Sequence, residues 1–184
     1  MEPIEDALRR AAEQQFTRQP PVSTRSRARF LMEQLRTTRA VAELLGVSQR
    51  TIERYLDGTR KHPPKAVAEA IDREVKARWQ PLVRKRAADR AAASGGVTIE
   101  CRAQFGYDAP AGSTDDLRER RMTVRLPASY AARLFDAQAE GAGEAALQAI
   151  AAEGFQEIYF KDGGRRAGGL LVRFTSIDYL DVLY

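Results

Sequence analysis

Apolar positions over the first eighty residues recur at helical spacing. Ile4, Ala7, Leu8 and Ala11 share one face of a segment from about Pro3 to Phe16, which Pro20-Pro21 ends. A second helix is expected around Ser26–Arg36, with Phe30, Leu31 and Leu35 inward, and two more fall within Thr38–Leu56. Beyond Pro63-Pro64, Val67, Ile71, Val75 and Trp79 form a stripe every four residues, best explained by core packing against the preceding helices. Pro81 kinks or stops that helix. The Ala-rich, basic stretch Leu82–Ser94 reads as a helical connector, and Ser94-Gly95-Gly96 marks a domain boundary.

The period then changes. Val97, Ile99, Cys101, Ala103 and Phe105 alternate with polar residues, as in a half-buried strand, and Met122, Val124 and Leu126 alternate again. Between them, Gly106 through Asp116 is loop-like. Pro127 suits the first turn of a helix that Gly141 closes, with Ala131, Leu134, Phe135 and Gln138 along it. Another helix, about Glu144–Tyr159, turns Leu147, Ile150, Ala151 and Ile158 inward. Asp162-Gly163-Gly164 signals a turn, and Leu170–Phe174 and Ile177–Leu183 read as two closing strands. The order β-β-α-α-β-β implies a small α+β domain over residues 96–184, after an all-α domain over 1–95.

Charge follows the same division. Residues 1–95 hold 20 Lys/Arg against 12 Asp/Glu, and residues 96–184 hold 10 against 13. A basic half joined to a mildly acidic one suggests a polyanion partner for the first. Cys101 and His62 are the only residues of their kinds, which excludes an internal disulfide and argues against a Cys/His zinc site. A Ser-His-Asp triad would need His62, which sits beside Pro63-Pro64 in a basic turn. No apolar run approaches membrane-spanning length, and MEPIEDALRR lacks the apolar core of a secretory signal. The expected location is the cytoplasm, associated with the nucleoid.

The segment Thr38–Leu56 has the spacing of a helix-turn-helix. Ala42 is small where two helices cross, and Gly46 tolerates positive φ at the turn. Val41, Leu45, Val47, Ile52 and Tyr55 or Leu56 lock the helices, and Ser48 suits the cap of the second. Such a helix enters the major groove by its N-terminal end, which counts Ser48 among the DNA-binding residues and leaves Gln49, Arg50, Glu53 and Arg54 facing the bases. Gln can read adenine and Arg guanine. Thr38, Arg39, Thr59, Arg60 and Lys61 are better placed for phosphates, which fix register. The same spacing also fits a helical hairpin with no DNA role.

The chain resembles the telomere-protecting terminal proteins of bacterial linear chromosomes and plasmids. The resemblance is carried by AVAELLGVSQRTIERY at 40–55, ARWQP at 77–81, FGYDAPAGSTDD at 105–116, MTVRLPASYAARLFDAQ at 122–138 and FKDGGRRAG at 160–168. It implies a protein that binds telomeric DNA, at its 3′ overhang and 5′ end, and offers a side-chain hydroxyl in place of a primer. A partner DNA polymerase, which brings Mg2+, attaches the first deoxynucleotide and extends from it, and a telomere-associated DNA-binding protein recruits the complex. The chain is then no enzyme and has no cofactor of its own. The resemblance implies Thr114 as the attachment site, followed by Ser113 and the more distant Ser129. Asp115 and Asp116 either help hold a metal or orient the hydroxyl, or simply repel phosphate until one arrives. Read without the resemblance, Ser113-x-x-Asp116 is a capping-box spacing before Leu117, so both hydroxyls serve equally as helix-start residues. Around KDGGRR (161–166), backbone N–H groups with Arg165 and Arg166 suit a phosphate as well as they suit a solvated turn. The competing function is a helix-turn-helix transcriptional regulator whose residues 96–184 dimerise or bind a ligand.

Overall fold

A computed structural model describes residues 3–108, 119–161 and 171–184 of the chain. The fold is α+β: the described residues form helices and a single three-stranded antiparallel sheet. They fall into two compact units, Phe16–Leu82 and, together, Met1–Gln15 with Val83–Tyr184.

The Phe16–Leu82 unit holds four helices, α2 (Thr24–Leu35), α3 (Thr38–Leu45), α4 (Gln49–Leu56) and α5 (Lys65–Arg78). Ala28, Leu31, Val41, Ala42, Leu45, Ile52, Tyr55, Ile71 and Val75 form its core. The expected stripe packs as a core face through Val67, Ile71 and Val75, but it leaves the helix at Trp79. Ile71 and Val75 are buried, whereas Trp79 leaves the helix in extended conformation. There its indole Nε1–H donates to the Arg18 carbonyl at 2.9 Å, and its ring meets Phe30 edge-on at 5.3 Å. Gln80 donates to Thr17 Oγ1 at 3.0 Å and accepts from the Thr17 backbone N–H at 2.9 Å. The places where the chain enters and leaves this unit are therefore tied together.

In the other unit the sheet order is β2-β1-β3, from β1 (Val97–Asp108), β2 (Glu119–Leu126) and β3 (Leu171–Leu183). It packs with α1 (Pro3–Gln14), α7 (Ala128–Ala139) and α8 (Glu144–Phe155). α6 (Pro81–Arg90) runs into one π-helical turn, Ala91–Gly95, and α8 into another, Gln156–Phe160. Ile99, Cys101, Phe105, Leu126, Leu134, Leu147 and Phe155 centre the core. Burial pushes the Cys101 thiol up to about 12, helped by the charge of Glu100, so it stays a protonated apolar filler.

Three expectations change. The two closing strands are one strand, β3. Its register against β1 shifts between Arg102 and Ala103 and between Gln104 and Phe105, so that Thr175 and Asp178 have no partner residue in β1. Each extra residue flips the alternation, which is why one strand reads as two. Ile158, expected inward, is exposed because α8 gives way to the π turn. The boundary also falls elsewhere than at 95/96. The α1 stripe of Ile4, Ala7, Leu8 and Ala11 is buried in the sheet core, and so is Ala91. The Glu144 carboxylate accepts from the Ile4 and Glu5 backbone N–H groups, both at 3.1 Å, and so caps α1 from 140 residues away.

Gly96 sits at φ +69°, where a Cβ would lie 2.2 Å from the Leu126 carbonyl oxygen, whereas a Cβ on neighbouring Gly95 would make only ordinary contact at 3.7 Å. Gly96→Ala should therefore lower stability by at least about 2 kcal/mol in urea unfolding, from backbone strain plus the clash. Gly95→Ala should be neutral or stabilise by up to about 1 kcal/mol. Equal midpoints for the two variants would contradict this close approach.

Candidate nucleic-acid interface

Helices α3 and α4 are joined through Gly46, Val47 and Ser48. Gly46 adopts φ +63°, and its N–H donates to the Glu43 carbonyl at 3.3 Å while the Val47 N–H reaches the Ala42 carbonyl at 3.0 Å. That pair of bonds ends α3 as a Schellman turn, which needs a residue at ease in the left-handed region. Ser48 then starts α4: its hydroxyl accepts from the Thr51 N–H at 3.2 Å. Ile52 and Tyr55 face the core, and this leaves Gln49, Arg50, Glu53 and Arg54 exposed on the opposite side. Those four share one surface, as their spacing predicts.

The other expected contact residues are placed unevenly. Arg39 is exposed, but its Nε donates to Glu43 one turn on, at 2.8 Å. Ser48 is spent on the cap. Thr59 is folded into a turn, its N–H and hydroxyl each 2.7 Å from an Asp57 carboxylate oxygen. That backbone bond, then the hydroxyl bond and nearby Arg54 and Arg25, holds the Asp57 carboxyl below its usual range. The Arg60 guanidinium lies 5.8 Å from the centroid of the Tyr55 ring, and Lys61 is exposed. Among the described residues, Arg50, Arg54 and Lys61 have no carboxylate within ion-pairing distance.

The structural unit sharpens the charge division. Residues 16–82 carry 14 Lys/Arg against 7 Asp/Glu, so the rest of the chain is slightly acidic. Within the unit the carboxylates of α5 are occupied: Asp72 pairs with Arg27 at 2.7 Å and Lys76 at 3.1 Å, and Glu74 pairs with Arg78. Among the described residues, the cations left without carboxylates include those on and just after α4.

Thr114, Asp115, Asp116 and Ser113 lie outside the described residues, as does most of the 161–166 segment. Lys161 is described, and its Nζ donates to Glu157 at 3.1 Å. Ser129 is exposed in the first turn of α7. Among the described residues, no three His, Cys, Asp or Glu side chains gather as a metal site, and no helix is long and apolar enough to cross a membrane.

Sequence reasoning missed two caps in this unit. Ser23 caps α2, accepting from Ser26 N–H at 3.1 Å, and Thr37 caps α3, accepting from Ala40 N–H at 3.1 Å. The signal was there, since each hydroxyl stands three residues before the N–H it receives. Compared with known proteins, the chain matches no family model, no curated protein and no solved structure.

The Ser48 bond separates capping from recognition. Ser48→Ala should cost about 1 kcal/mol of stability in thermal or urea unfolding. Unchanged stability together with weakened DNA binding would make Ser48 a contact residue instead.

Proposed function

We propose that the Phe16–Leu82 unit binds duplex DNA through a helix-turn-helix formed by α3 and α4, with α4 in the major groove. The observation that carries this reading is the joint exposure of Gln49, Arg50, Glu53 and Arg54 on α4 of a strongly basic unit. Burial of Ile52 and Tyr55 on the other face supports it, because it fixes which side chains can meet base edges. Arg50 and Gln49 at the N-terminal end are the base readers, and Arg54, Arg60 and Lys61 contact phosphates. Arg39 joins them by giving up Glu43, an exposed pair whose loss costs little.

On the sequence resemblance, we further propose that the chain is similar in function to the terminal proteins of linear replicons. It binds the telomeric end, accepts the first deoxynucleotide and remains joined to the 5′ end of the DNA. The step is a phosphoryl transfer. The Thr114 hydroxyl oxygen attacks the α-phosphorus of a deoxynucleoside triphosphate, a phosphoester bond forms, pyrophosphate leaves and the hydroxyl proton goes to solvent or a base. A threonine hydroxyl is a weak nucleophile at its own pKa, so the partner polymerase supplies the activating metal chemistry. Asp115 and Asp116 directly follow the hydroxyl residue in sequence and orient it or a metal. Strand pairing is compatible with this. Asp108, just before segment 109–118, pairs with Leu171, just after segment 162–170, so two segments carrying the resemblance attach at one end of the sheet.

Intact-mass measurement of the native protein after nuclease release, followed by peptide mapping, tests the reading directly. A nucleotide adduct on the peptide containing Thr114 is expected. Thr114→Val should abolish attachment and leave DNA binding intact. Arg50→Ala should weaken binding by about 1–3 kcal/mol, chiefly for the preferred site. Unmodified protein that binds a duplex palindrome as a dimer would instead establish a transcriptional regulator.

A further inference from the structure

A cavity of about 560 Å3 opens in the Phe16–Leu82 unit between the start of α2 and the segment that follows α4. Thr24 and Arg25 line one side, and Asp57, Arg60, Lys61 and His62 line the other. The two sides are tied. The Thr24 hydroxyl donates to the Lys61 carbonyl at 2.7 Å, and Arg25 Nε donates to the Leu56 carbonyl at 3.0 Å. These bonds hold the walls in place before any ligand arrives.

Three cationic side chains face this space against one carboxylate, and that carboxylate is already engaged by the N–H and hydroxyl of Thr59. Neither the terminal nitrogens of Arg25 nor the ammonium of Lys61 has a carboxylate partner among the described residues. Thr24 and Arg25 are also the first two residues of a twelve-residue helix, whose leading N–H groups have no acceptor within it. Converging donors from two chain segments suit a tetrahedral oxyanion, which offers acceptors in several directions, better than a flat carboxylate with two.

We propose that this cavity is a phosphate-binding site, occupied by a backbone phosphate of the DNA strand that runs beside α4. The phosphate chemistry stands on the cavity itself. The DNA source rests on the helix-turn-helix reading, because the second wall directly follows α4.

Two measurements on the full chain separate these. His62 is the only histidine, so its imidazole signal in a proton–carbon NMR spectrum needs no assignment. Titration with inorganic phosphate at constant pH and ionic strength should shift that signal saturably, and Arg25→Gln with Lys61→Gln should abolish the response. Lys61→Gln alone, which removes no hydrogen bond of the fold, should weaken it. In duplex titrations across salt concentrations, the double variant should lose about tenfold in affinity for preferred and scrambled duplexes alike, with the salt slope reduced by about 1. A saturable His62 shift with unchanged duplex affinity and slope would keep the phosphate site and overturn DNA as its source, making a free phosphomonoester the ligand. The same holds if the parent protein binds no duplex at all. No shift of His62 beyond that caused by equal sulfate-free salt, in folded protein, overturns the site.

Discussion

The arrangement depends on where α1 buries its apolar stripe. Ile4, Ala7, Leu8 and Ala11 are almost wholly buried in the core built on β1, β2 and β3, although about seventy intervening residues form a unit with its own core. Full burial of Ile4 and Leu8 alone contributes about 1.5–3 kcal/mol each. Specific bonds then fix the helix. Glu144 caps its N-terminus, Arg10 donates to the Leu180 carbonyl at 2.7 Å, and Gln15 donates to the Tyr184 carbonyl at 3.1 Å. Because the chain must leave this core after Gln15 and rejoin it at Val83, the intervening unit needs its two ends side by side. The bonds from Trp79 and Gln80 to Arg18 and Thr17 meet that need.

This connectivity explains the charge pattern better than a simple division into halves. A polyanion-binding surface gains from concentrated positive charge, and self-repulsion is the cost. The unit manages that cost by pairing cations with carboxylates along α5, where Asp72 and Glu74 each meet more than one partner. On α4 and the turn after it the cations keep no such partners. In the sheet-containing unit some exposed arginines pair across elements, as Arg133 does with Glu153 at 2.6 and 2.8 Å and Arg121 with Glu100 at 3.1 Å. Arg133 first, by its hydrogen bonds, lowers the Glu153 carboxyl, so what this exposed pair adds to stability is lost as pH falls through the carboxylate range.

Local chemistry was legible in the sequence, and long-range pairing was not. The spacing Ala42, Gly46, Ser48, Ile52 and Tyr55 gave the turn, the cap and the buried face of α4 because each depends on residues within one or two helical turns. The α1 stripe equally announced a buried face, but periodicity states that a face is covered and not by what. Nothing in Ile4 or Glu5 points to Glu144. The β3 bulges show a second limit. Thr175 and Asp178 shift the alternation by one residue each, so Val172 and Phe174, then Ile177, then Leu180 and Val182 turn inward along one unbroken strand. A pattern reader sees a break wherever the phase changes. Arg39 shows a third limit, since its exposure was legible while its pairing with Glu43, one turn away, was not.

The two proposed tasks make different demands on a chain, and the fold meets them with different materials. Reading a groove requires side chains fixed to within a fraction of a turn, which a capped helix over a buried core provides: Ser48 sets where α4 begins, and Ile52 and Tyr55 set its rotation. Offering a hydroxyl to a polymerase requires a residue that can enter another protein's cleft, which a strand within a ladder cannot do. Ser129 meets that requirement poorly, because although exposed it is held within the first turn of α7. Of the neighbourhood of Thr114 the flanks are described: Asp108 pairs with Leu171 and Glu119 with Gln104, so the chain on either side belongs to the sheet. Thr114 therefore stands as the proposed attachment site on the sequence resemblance, with Ser129 disfavoured by its place in a helix.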